Sequence, residues 1–80
     1  MNDAEIVEHI DRLVAEEHQL EGKHGERELS EEERERLSRV EVQLDQCWDL
    51  LRQRRARRHA GQDPDLAQVR PSEIVERYQQ

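Results

Sequence analysis

The sequence predicts an all-α protein: an antiparallel two-helix hairpin with a short, partly helical C-terminal tail, two such hairpins pairing into a four-helix bundle. Three observations carry that expectation. Two apolar stripes recur at helical spacing, each is introduced by a capping box, and a connection of about five residues joins them. The division that follows is a hairpin over residues 1–61, with helices over about 3–24 and 31–59, and a tail over residues 62–80.

The first helix begins at Asn2 or Asp3, with Glu5 three positions after Asn2. Ile6, Ile10, Leu13 and Leu20 form its stripe, and Val7 and Val14 widen it. Gly22 weakens the last turn and Gly25 is the expected stop. The second helix starts at Ser30, whose partner in the capping box is Glu33; Glu31, Glu32 and Glu33 suit the positive helix end. Leu37, Val40, Leu44, Cys47 and Leu51 then step by three and four, a coiled-coil seam flanked by Trp48. Arginines fill the last two turns, and Gly61 with Pro64 marks the exit. A turn near residues 27–28 places Leu13 opposite Val40 and Val42, Ile10 opposite Leu44 and Cys47, and Ile6 opposite Cys47, Trp48 and Leu51. In the tail, Asp63-Pro64 caps a short turn and Ser72 caps a last helical turn. Leu66, Val69, Ile74 and Tyr78 read as its anchors.

Composition limits what such a chain does. Apolar residues make up 32% and charged residues 41%, there is no phenylalanine, and Trp48 and Tyr78 are the aromatics. So little apolar surface sits near the border with disorder, and two helices leave each stripe with an uncovered flank. Self-association is therefore expected, as a homodimer or higher homo-oligomer through Ile6, Ile10, Leu13, Leu37, Val40, Leu44, Cys47, Trp48 and Leu51. One cysteine rules out an intrachain disulfide and suits a reducing cytoplasm. No apolar run approaches the roughly 20 residues that span a bilayer, so no membrane partner is expected.

The charge is unevenly placed. Residues 1–50 carry a net of -10 and residues 51–80 a net of +3, and twelve of the thirteen cations are arginine. In the expected register Arg52 lies beside Asp3, and the arginines beyond it overhang the first helix. One reading of the run is intramolecular: the arginines offset the acidic start of the first helix, complement their own helix end and receive an acidic tail carrying Asp63, Asp65, Glu73 and Glu76. In the functional reading Arg54, Arg55, Arg57 and Arg58 are the candidates for contact with an acidic protein partner or with phosphate. Nucleic acid is the weaker option, because the chain is acidic overall and the run has no aromatic stacking platform.

A second candidate is Glu21-x-x-His24, the spacing of carboxylate-bridged helical bundles, with Glu17 on the same stripe and Glu33 or Glu41 as further carboxylates. The competing reading is that the core ends near Leu20 and these groups are solvated. No cofactor is expected. Cys47 reads as a small apolar residue with no base beside it, and no phosphate loop or nucleophile motif is present, so no catalysis is expected.

The segment EVQLDQCWDLLRQRRARR, followed by DPD, AQVRP and VERY, resembles an uncharacterised family of short bacterial proteins, the domain of unknown function 2630. The resemblance covers nearly the whole chain and is most specific in LDQCWDLLRQRRARR. It implies a small helical protein and brings no activity, cofactor or catalytic residue. The sequence therefore points to a non-catalytic helical interaction protein. A nucleic-acid-associated or transcription/translation accessory factor and a metal-binding bundle are the alternatives.

Overall fold

The computed structural model describes residues 2–78, with side chains through Val75. The proposed anchor Tyr78 and the acid Glu76 have side chains outside the described residues. Helix α1 spans Asp3–Glu26 and α2 spans Glu31–His59; a 3-10 turn over Pro64–Leu66 and helix α3, Ser72–Tyr78, follow. No strand occurs among the described residues. Asp3 pairs with Arg54 and Glu16 with Arg36, so α1 and α2 run antiparallel over a molecule of 50 × 25 × 17 Å.

Both helices start on complete capping boxes. The Asn2 side chain accepts from the Glu5 amide while Glu5 accepts from the Asn2 amide, and Ser30 and Glu33 do the same. Their ends differ from each other. Gly25, expected to stop α1, lies inside the helix, which ends instead where Arg27 turns extended (φ -161°). The stop is tertiary: Leu29 is buried at the turn, and Arg27 forms a two-pronged ion pair with Glu33 across the connection. At the end of α2 the glycine is needed. Gly61 has φ 72°, and the amides of Gly61 and Gln62 donate to the carbonyls of Arg58 and Arg57, a Schellman closure that L side chains disfavour.

The core joins Ile6, Ile10 and Leu13 of α1 to Val40, Leu44 and Leu50 of α2, with Val14, Cys47, Leu51 and Ala67 packed against it. Most of the residues assigned to self-association are thus covered within one chain. Leu50 belongs to this cluster, whereas Trp48, expected between the helices, is 48% exposed. Helical geometry separates the two: at 3.6 residues per turn, Leu50 and Trp48 lie on opposite sides of the Val40–Leu44–Leu51 row.

The tail supplies the third layer that two helices lack. It packs on the Leu50 side of α2, but not through the expected anchors: Leu66, Val69 and Ile74 are all exposed, while Val75 is fully buried and Ala67 meets the core. Asp63 caps the 3-10 turn by accepting from the Asp65 amide. Helix α3 begins at Ser72 itself, with the Pro71 carbonyl accepting from Ile74 and Val75.

Removing the centre of the core tests this arrangement. Ile6→Ala is expected to lower the unfolding free energy by about 2–5 kcal/mol in chemical denaturation. Leu66→Ala, at an exposed site, stays within about 0.5 kcal/mol. Equal losses for the two variants would contradict the placement of the tail.

Candidate interaction surfaces

The arginine run divides by helical position. Arg54 falls on the inner side of α2, where only 5% of it is exposed. Its Nε donates to Asp3, and Nη1 donates to Asp65 Oδ1 at 2.9 Å and to the Pro64 carbonyl at 3.2 Å. Arg58, one turn on, reaches the other oxygen of Asp3 at 2.9 Å. Arg58 and Arg54 together hold the Asp3 carboxyl below its ordinary range. One carboxylate from the start of α1 and one from the tail therefore close on a single guanidinium, whose planar fork suits several acceptors at once. The expected overhang is shorter than the register suggested. Arg52 does not pair with Asp3; it turns outward and reaches Asp49 at 3.9 Å.

Arg57 makes a long contact of 3.4 Å to Gln62, and Arg55 is exposed with no ion pair among the described residues. Of the four arginines proposed for partner contact, Arg54 is buried and Arg58 is engaged. Those two serve the fold.

A second polar cluster, centred on Asp49, is absent from the sequence reading. Asp49 is 1% exposed, yet it carries a carboxylate. Arg70 of the tail grips both carboxylate oxygens, through Nη2 and, at 2.9 Å, through Nε. Gln53 donates to the same carboxylate at 2.9 Å and to the Gln68 carbonyl at 2.8 Å, and Gln46 donates to the Arg70 carbonyl at 3.2 Å. Arg70 above all, with Gln53 and Arg52, holds the Asp49 carboxyl below its ordinary range against the opposing effect of burial. The signal was available in outline. Asp49 interrupts an apolar run between Trp48 and Leu50, and Arg70 is the only Lys or Arg between Arg58 and Arg77.

Among the described residues, the contacts of the tail lie on the Leu50 side of α2, and none is made to the other side of the hairpin. Val7 and Val14 lie seven residues apart on α1; Arg34, Glu41, Trp48 and Arg55 lie at the same interval on α2. Two helical turns separate successive members, so each set forms a row. Trp48 and Val7 are both about half exposed. At the turn end, Glu21, His24, Glu28, Leu29, Arg34 and Leu37 line a groove of about 350 Å3. Leu29 and Leu37 are its two apolar lining residues, and the other four carry titratable side chains. Glu21 and His24 therefore share a groove, but among the described residues no group of three His, Cys, Asp or Glu is placed to hold a metal ion, and Glu17 does not line it. Cys47 is half-buried, and burial pushes its thiol up, away from the reactive thiolate.

The chain belongs to the family described as "Protein of unknown function (DUF2630)", whose model matches residues 2–80. Uncharacterized proteins of Mycobacterium bovis and of two Mycobacterium tuberculosis strains are each 53% identical to it over 77 residues, which cover 95% of this chain and 88% of theirs. No solved structure matches. No helix among the described residues is long and apolar enough to cross a membrane.

Two expectations follow from the polar clusters. Asp49→Ala removes the acceptor of Arg70 and Gln53 and should cost about 1.5–3 kcal/mol in denaturant melts. Amide exchange around Gln68 and Arg70 should accelerate with it, and unchanged exchange would show that the cluster does not hold the tail. The pH dependence has a definite sign. Asp49, Asp3 and Glu33 bind protons less readily folded than unfolded, and Arg27 with the Ser30 amide holds Glu33 down to about 2. The unfolded chain thus takes up protons first, near its ordinary carboxylate range of about 4. Their contribution is complete above about pH 5 and is lost as the pH falls through 4 toward 2. Thermal midpoints measured between pH 7 and 2 check this course.

Proposed function

We propose that the protein is a non-catalytic helical module that acts by association, pairing with a second copy through the tail-free flank of its hairpin. The observation that carries this reading is the exposed Trp48, which lies across the core row from Leu50 and the tail, with Val7 of α1 likewise about half exposed. A tryptophan left half-exposed forfeits much of the area that makes it an anchor at interfaces. One long face of a 50 × 25 × 17 Å molecule offers on the order of 800 Å2, about what each partner in a standard interface contributes.

Several features favour this reading over its alternatives. Arg54 and Arg58 are committed to Asp3 and Asp65 and Arg57 is half-buried beside Gln62, which leaves Arg52 and Arg55 as the outward cations on that helix end. So few phosphate contacts give little affinity for nucleic acid at physiological salt. The half-buried thiol of Cys47 suits a reducing cytoplasm and a packing role. The pairing stacks two preformed hairpins and leaves each apolar core closed, so the resulting four-helix bundle keeps Ile6, Ile10 and Val40 within their own chain.

Sedimentation equilibrium tests the proposal. The expected result is a reversible dimer at micromolar concentration. Trp48→Ala should shift it toward monomer with helicity unchanged. A wild-type monomer at every concentration would overturn the reading.

A further inference from the structure

Resting on that self-association, we infer that Trp48 of each copy seats in the turn-end groove of the other, in an antiparallel two-fold dimer. The groove and the tryptophan lie on the same flank. Leu37 and Arg34 line the groove, and Arg34 and Trp48 belong to one row of residues along α2, two such intervals of seven apart. An isologous interface requires a knob and a socket on a single face, with the axis midway between them. Here α2 of one copy lies antiparallel on α2 of the other. Trp48 then reaches the level of the partner's residues 34–37, and Val14 of α1 meets its own copy near the axis.

The size and polarity of the socket fit an indole. The groove holds about 350 Å3, and its apolar surface comes from Leu29 and Leu37. Arg34 also lines it, and a guanidinium stacks favourably on an aromatic face.

Charge fixes the direction. Residues 21–35, around the groove, carry seven acidic and three basic side chains, a net of -4. Beside Trp48, the outward groups toward the end of α2 are Arg52 and Arg55. With Trp48 opposite residue 35, antiparallel helices bring Arg52 to the level of the partner's Glu31 and Arg55 to that of the partner's Glu28. Glu28 itself lines the socket. A parallel arrangement would instead set arginine against arginine. Glu41 falls near the axis, and the two copies of it repel there, a cost that the four arginine–glutamate pairs and the two buried indoles offset.

Trp48 is the single tryptophan of the 80-residue chain, so its emission reads its own surroundings. The expected result is a blue shift as concentration rises through the dimerisation range followed by sedimentation. Arg55→Glu and Glu28→Arg, both at exposed positions, should each weaken the dimer about tenfold by opposing like charges twice per dimer. Combining them in one chain restores the opposite signs and should recover the affinity and the blue shift. A dimer whose emission does not change with concentration, or a double variant no tighter than the singles, overturns the seating and leaves self-association standing. A monomer throughout removes both.

Discussion

Two helices cannot enclose a core, and the rest of this structure follows from how that shortage is met. Each helix of the pair brings an apolar stripe, and each stripe keeps flanks open to water. On one flank the chain closes the gap with its own tail. The tail is poor in buried side chains, with Val75 and Ala67 its main apolar contributions. What fixes it in place is polar: Arg70 on the buried Asp49, Gln46 and Gln53 on the carbonyls of the tail, and Arg54 on Asp65 and the Pro64 carbonyl. A buried ion pair of this kind adds less stability than its Coulomb attraction suggests, because both groups lose water. Its effect here is positional. Each donor has an assigned acceptor, and the described residues include no buried side-chain nitrogen or oxygen without a partner.

The same arrangement explains an arginine-rich stretch in an acidic protein. Positions 54 and 58 share the inner side of α2 with the core row, so their guanidinium groups meet the start of α1, where Asp3 stands. Asp3 serves as an acid in the first turn of α1 and as the acceptor for two arginines of α2. Arg54 completes the link by taking Asp65, so one cation joins α1, α2 and the tail. The remaining arginines face outward along the uncovered flank and the helix end. The association we propose therefore draws on a different set of residues from those that close the hairpin: Trp48, the row it belongs to and the groove at the turn.

Much of the hairpin was legible residue by residue, because its signals are local. The capping boxes at Asn2 and Ser30 and the glycine at position 61 each act within a few residues. The stripe of α1 and most of the seam of α2 follow from helical periodicity. Gly25 misled, since a glycine stops a helix only where the chain must turn left-handed; the turn was made by Arg27, under the pull of Leu29 and Glu33. The candidate surfaces were less legible. Arg54 and Arg55 are neighbours of the same type, and a single step of about 100° along the helix puts one inside and the other in water. Leu66, Val69 and Ile74 looked like anchors on hydrophobicity alone, yet the tail turns them outward.

By itself, then, the sequence determined that the chain is helical, where its helices begin, that they fold back on one another and that two of them would be short of a core. Those outcomes rest on hydrogen bonds and periodicities within a few turns of one helix. The tertiary structure decided which flank is closed and by what. That choice depends on Asp49 meeting Arg70 and Asp3 meeting Arg54, pairs 21 and 51 residues apart that have no local signature. The docked tail supplies the partner of the buried Asp49, while its neighbour Trp48, on another side of α2, is left exposed, since adjacent positions on a helix face different neighbours.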